Sequence, residues 1–291
     1  MALFNEYLLP ANTSHIQQFV AMAGITNSLI STDGVFWPRY NTGTSLVWQA
    51  IAYGNGIYTA VGTTAQVSTS NNGIAWNTQA FAGSITNTMN GVAYGNGIFV
   101  AGGGGGAIQT SPDGTTWTSR TGANTNTIQA VTYGNGLFVT VGGGGAIQTS
   151  PDGTTWTNRT RVNANVQYGV AYGNGVYVSA GATGSVWSST NAITWTSRTT
   201  ANTNQMSAVT YGNGIFVAVG VNGAIQTSPD GTTWTNRTSA NIGNLNCVGY
   251  GGGLYVAGGS GFVLQTSTNA ITWTNIIIGG TAIGINGIVY G

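Results

Sequence analysis

Seven tryptophans recur along this chain at a nearly constant interval, and that interval limits the fold more than any other feature. They are Trp37, Trp76, Trp117, Trp156, Trp195, Trp234 and Trp273, 39 residues apart except for one 41-residue step between Trp76 and Trp117. A period near 40 belongs to propeller blades or helical solenoids. Composition separates the two. With 48 glycines in 291 residues, and Thr, Val, Ile and aromatics abundant, the chain suits short strands and tight turns rather than helices.

Residues 127 to 159 serve as one repeat, punctuated at Asn135-Gly136, at the run Gly142 to Gly145 and at Asp152-Gly153. Asn-Gly and Asp-Gly tolerate the positive φ angles of two-residue hairpin turns, so they cut the unit into four strands, A to D, with A antiparallel to B and C to D. Four antiparallel strands per repeat, set around an axis, make a propeller blade. The signatures of WD40 and kelch repeats are absent.

The register is tight. A tyrosine of strand A falls 23 residues before the tryptophan at Tyr53, Tyr94, Tyr133, Tyr172, Tyr211 and Tyr250, and a second aromatic falls 18 before it at Tyr58, Phe99, Phe138, Tyr177, Phe216 and Tyr255. Counting 18 back from Trp37 reaches Phe19, in a strand B with no strand A before it. The missing phrase stands at the other end, as Asn286-Gly287-Ile288-Val289-Tyr290-Gly291. The expected fold is therefore all-β: a seven-bladed propeller of four-stranded antiparallel blades, its ring closed by residues 285–291 joining an N-terminal blade at about 17–40, which removes the open seam. Residues 17–291 form one propeller, and 1–16 lie outside the repeat as an N-terminal arm. The arm has no basic segment followed by a long apolar run, so it is not a secretory signal. It either docks on a partner or neighbouring copy, or packs on the propeller itself.

The phrase before each tryptophan reads STDGVFW, SNNGIAW, SPDGTTW (three times) or STNAITW (twice). These phrases resemble the Asp-box, or BNR, repeat of sialidases and of many propellers without enzymatic activity, including photosystem assembly factors of the Ycf48 type. The resemblance covers all seven units, with one departure: the common Asp-box keeps a residue between Asp and Gly, which are adjacent here. It implies a structural motif in which the carboxylate caps a turn and the aromatic packs beneath it. Local physics agrees, since Asp and Asn hydrogen-bond their own turn backbone. Asp33, Asp113, Asp152 and Asp230 are turn formers, with Asn72, Asn191 and Asn269 in the same slot.

This leaves little for catalysis. Of five acidic residues, only Glu6 in the arm remains. A sialidase needs an arginine cluster, a Tyr-Glu pair and an acid/base Asp, whereas Arg120, Arg159, Arg198 and Arg237 stand three residues past successive tryptophans and ring the outside. Paired-carboxylate hydrolysis, general acid–base and nucleophilic chemistry lack their residue types. The expectation is that the chain is not an enzyme. His15, in the arm, is the single histidine, so no His/Cys metal cluster assembles, and no cofactor is expected. Cys247 occupies a slot filled elsewhere by Ala or Gly and reads as a small buried side chain. The glycine runs neither open a helix nor precede a lysine, so they are strand links rather than phosphate loops. A net charge of +1 with no lysine argues against nucleic acid, and no apolar run approaches the ~18 residues of a membrane span.

Binding belongs where the units differ. Five before the strand A tyrosine stand Trp48, Met89, Ile128, Gln167, Met206, Leu245 and Ile285, expected around one channel rim or at the tops of the blade interfaces. In unit five, Arg161 and Tyr168 have no counterparts, and Trp187 replaces Gln109, Gln148, Gln226 and Gln265. Trp48, Arg161, Tyr168 and Trp187 are the ligand-binding candidates: an exposed aromatic beside Asn, Thr and Arg suits a sugar, with pyranose CH groups on its flat face. The alternative, favoured by their apolar area, is that Trp48 and Trp187 fill gaps between blades. Repeated sugar pockets between blades, as in propeller lectins, are a further alternative. Charged residues make up only 4% of the chain, a composition that resembles phage tail, fibre and decoration proteins. The expectation is a non-catalytic virion component, localised to the virion, held to other virion proteins or its own copies by the arm and presenting a face for host cell-surface glycan. The alternatives are a free multivalent lectin and a cellular protein-binding scaffold of the Ycf48 type.

Overall fold

The computed structural model describes residues 16–83, 85–279 and 284–291, and in it seven four-stranded antiparallel sheets surround a central channel. Blade 1 is assembled from both chain ends. Its strand A is Ile285–Tyr290, followed outward by B (Phe19–Ala23), C (Asn27–Ser31) and D (Arg39–Asn41). The register across the closure is Phe19↔Tyr290, Val20↔Val289 and Ala21↔Ile288. Two backbone bonds extend it, from Gln18 N to Gly291 O at 2.8 Å and from Gly291 N to Gln18 O at 3.0 Å. The seven blades and their closure are those that the spacing predicts. Residues 1–15 of the proposed arm, with Glu6 and His15, lie outside the described residues.

Blades 2 to 7 follow in chain order, each running A to D from the channel outward. Their A strands begin at Trp48, Met89, Ile128, Gln167, Met206 and Leu245. In blades 2 to 6 the A–B turn is an Asn-Gly pair with both φ angles positive, as at Asn135 (45°) and Gly136 (79°), the geometry whose twist matches the flanking strands. Each B–C link is a short 3₁₀ turn with a left-handed central residue, such as Gly144 at φ 60°. The glycine runs are strand links.

Neighbouring blades are fastened by a repeated close approach. The glycine after each strand A tyrosine lies under the tyrosine ring of the next blade, so a Cβ there would sit 2.0–2.3 Å from ring carbons. The pairs run Gly54–Tyr94, Gly95–Tyr133, Gly134–Tyr172, Gly173–Tyr211, Gly212–Tyr250 and Gly251–Tyr290, and the last residue of the chain completes the circle as Gly291–Tyr53. Each tyrosine also packs on the strand B aromatic of its own blade, with ring centroids 4.7 Å apart for Tyr133–Phe138. Where that partner is itself a tyrosine, its hydroxyl donates to the preceding blade: Tyr58 to Gly291 O at 3.1 Å, Tyr177 to Gly134 O, and Tyr255 to Gly212 O. Burial pushes these three phenols up to about 12.

Candidate functional site

The seven repeated turns are spent on structure. In blade 4, Asp152 Oδ1 accepts the backbone N–H of Thr154 at 2.8 Å and of Thr155 at 2.9 Å. It also accepts the hydroxyl of Ser150, which in turn takes the N–H of Gly153. The Trp156 indole donates back to Gly153 O at 3.0 Å. Asp33, Asp113 and Asp230 make the same backbone bonds. Asn72, Asn191 and Asn269 reproduce them with a neutral oxygen. Donation from these N–H groups and hydroxyls holds the four aspartates below the usual carboxylate range, with Asp113 at about 2. The turn also docks on the preceding blade: a Cβ on Gly73 would meet Val20 Cγ2 of blade 1 at 2.8 Å, and one on Gly153 would meet Ile98 Cδ1 of blade 3 at 2.8 Å.

The arginines are equally committed. Arg120, Arg159, Arg198 and Arg237 lie on outermost strands, each donating through Nε to a hydroxyl of its own strand C, at 2.7–2.8 Å. Arg161 lies exposed in the link between blades 4 and 5 and donates to Gly144 O at 3.0 Å.

Both outlying tryptophans are completely buried. Trp48 packs with Val20, Met22, Ile30 and Tyr58 between blades 1 and 2, and Trp187 with Val139, Ile147 and Tyr177 between blades 4 and 5. Neither indole N–H finds an acceptor among the described residues. In the sister blades, the glutamine at the Trp187 position ties down the link that enters its own strand A, as when Gln226 Oε1 accepts Ala201 N–H at 3.0 Å. That glutamine touches the residue opening its own strand A, Gln226 Nε2 lying 3.7 Å from Met206 Sδ. Blade 5 inverts the pair: the apolar side chain is on strand C as Trp187, and the amide is on strand A as Gln167, which bonds Ser179 and Ser185.

The channel is lined by the residues just after those seven strand openings. Each A strand slips register between its first and third residues, leaving the second opposite no partner. Such a bulge re-aims a side chain. The bulged residues are Gln49, Asn90, Gln129, Tyr168, Ser207, Asn246 and Asn286, and all of them line a cavity of about 540 Å³ on the axis. The series Trp48 to Ile285, expected at a channel rim or at the tops of the blade interfaces, is buried, with exposures of 0–2%, and its apolar members pack against the preceding blade rather than around a rim. A ring of Ile51, Val92, Val131, Val170, Val209, Val248 and Ile288 lies beyond the polar one. Cys247 sits in the wall between them, its thiol near Gly258 O and Ile285 O, both at 3.6 Å. Burial pushes that thiol up to about 12, which makes it inert.

Of the four sequence candidates, only Tyr168 reaches the channel; Trp48, Arg161 and Trp187 do not converge with it. Sequence alternation alone missed the polar ring, because a bulge breaks the period of two. The available signal was that the position four before each tyrosine is polar in all seven units. No group of three or more His, Cys, Asp or Glu residues suited to a metal occurs among the described residues, and no described helix is long and apolar enough to cross a membrane.

The architecture defines the chain as a closed seven-bladed β-propeller. Among solved structures it is similar to Ycf48 bound to D1 peptide (TM-score 0.66, 14% identity, covering 98% of both chains). It is also similar to Ycf48 from Cyanidioschyzon merolae (TM-score 0.65, 14% identity, 84% of this chain and 94% of that one). A third likeness is to the computationally designed Ika8 protein (TM-score 0.67, 12% identity, 95% and 88%). At these identities the likeness is one of fold. No family model and no curated protein matches the chain.

Proposed function

We propose that the protein is a non-catalytic propeller that holds a protein partner. The observation that carries this reading is the commitment of its charged chemistry: four of five acidic residues are hydrogen-bonded in turns, and four of six arginines are tied to strand C hydroxyls around the rim. These groups are fixed in the scaffold and are not gathered at the channel. The likeness to Ycf48 bound to a peptide, over nearly the whole of both chains, supports a protein partner. Composition supports a virion as the setting, since a chain with no lysine and 4% charged residues resembles tail and decoration proteins. In that setting residues 1–16 anchor the propeller, formed by 17–291, to other virion proteins or to its own copies.

Chemical cross-linking followed by mass spectrometry on particles containing the protein tests both parts. The expected result is a reproducible set of cross-links from the arm or from one face of the ring to one virion protein. A protein that is absent from purified particles and monomeric with every cellular fraction contradicts the virion setting. Hydrolysis of a fluorogenic glycoside, abolished by a channel substitution, contradicts the non-catalytic reading.

A further inference from the structure

The polar ring at the channel is not uniform. Asn90 donates to Ile128 O at 2.8 Å, Asn246 to Asn286 Oδ1 at 3.0 Å, and Asn286 to Trp48 O at 3.0 Å, so these three stitch neighbouring blades together. Gln49, Gln129, Tyr168 and Ser207 also line the channel, and their side chains have no hydrogen-bond partner among the described residues. Three of them, Gln129, Tyr168 and Ser207, come from consecutive blades and form one arc. All seven positions are delivered by a bulge, a device that aims side chains toward function.

We propose that this arc is a binding site for one neutral saccharide. The site is independent of the protein-holding role. The cavity, about 540 Å³, falls in the range of about 300–1,000 Å³ found for small-ligand sites. Its lining includes no Asp, Glu, Lys, Arg or His, so it offers no counter-charge to an ionic ligand. Carboxamides and a hydroxyl supply donors and acceptors together, which is the pairing that sugar hydroxyls need. Tyr168 is the one aromatic among the lining residues, and its ring gives a flat apolar face for pyranose CH groups. A polypeptide fits less well. Strand addition requires a continuous sheet edge, and the bulge interrupts the inner edge of every blade. The free groups also lie around a ring rather than along a line.

The test uses the full chain with glucose, galactose, mannose, N-acetylglucosamine and their neutral trisaccharides. Ligand-observed NMR and calorimetry would be run at up to about 20 mM, where millimolar affinities are visible. At least one neutral sugar should bind with one site per chain. Tyr168→Ala should weaken it about 10-fold or more, and Gln129→Ala by a smaller factor, while Tyr168→Phe, which keeps the ring, should stay within about 3-fold of the parent. Circular dichroism shows whether each variant retains the fold, and if Tyr168→Ala does not, the weakening in Gln129→Ala still reads whether the sugar sits at the arc. No binding across the panel overturns the proposal. So does binding at several sites per chain that ignores Tyr168, which means repeated pockets between blades. Binding of an uncharged, end-blocked peptide in preference to every sugar also overturns it, in favour of a polypeptide ligand.

Discussion

A carboxylate that accepts hydrogen bonds in the folded turn, and only water in the unfolded chain, links stability to pH. Asp33, Asp113, Asp152 and Asp230 have folded pKa values below the unfolded value of about 3.9. Their contribution is therefore fully present above about pH 4–5 and is lost as pH falls toward about 2. Replacing all four with Asn, the residue that makes the same bonds at Asn72, Asn191 and Asn269, should leave the melting temperature at pH 7 nearly unchanged and flatten its fall below about pH 4. Thermal melts across pH 2 to 7 check this, and an equal acid slope in both proteins contradicts it. Glycine roles separate at the same scale. Gly136, with φ 79° and nothing near its missing Cβ, should lose about 1 kcal/mol on Gly136→Ala from backbone strain alone. Gly73 has φ 73° and faces the buried Val20 and Ile30, so Gly73→Ala should cost roughly 2–4 kcal/mol in urea unfolding.

Within a blade, strands A and C exchange partners as a unit. Trp187→Gln alone leaves a cavity beside Gln167 and should cost about 3 kcal/mol. Adding Gln167→Met restores the Met206–Gln226 arrangement of blade 6 and should recover at least about 1 kcal/mol, a coupling read from a double-mutant cycle by urea unfolding. This inversion was half legible in the sequence. Trp187 stood out against four glutamines, but its compensation by Gln167 required knowing that two residues 20 apart meet. The hairpins were fully legible, because Asn-Gly turns and fixed aromatic spacing set the register locally, as Tyr133↔Phe138 shows. The channel lining was not. Alternation counts from strand to strand without a slip, and the bulge moves the pore-facing position from Trp48 to Gln49 and from Gln167 to Tyr168. Unit five carries the most unusual residues, and two of them serve the scaffold: Trp187 fills the core and Arg161 ties a link.

At the scale of the molecule, seven blades with largely repeated contacts have no natural first or last member. The described ring is joined in blade 1, where the A–B hairpin is replaced by the Gln18–Gly291 backbone pair and by Tyr53 stacked on Gly291. Closure thus depends on one strand, Ile285–Tyr290, which is inserted between blades 7 and 2 and pairs with Phe19–Ala23. Without it, Phe19 and Ala21 lose their cover and blade 1 has an open inner edge. The direct measurement is the thermal unfolding of a chain ending at residue 283, alone and with a synthetic peptide of residues 284–291. Ring closure by the two ends predicts a melting temperature lower by roughly 10 °C or more, or loss of a cooperative transition, with recovery on adding excess peptide. An unchanged cooperative melt in the shortened chain, indifferent to the peptide, would contradict it.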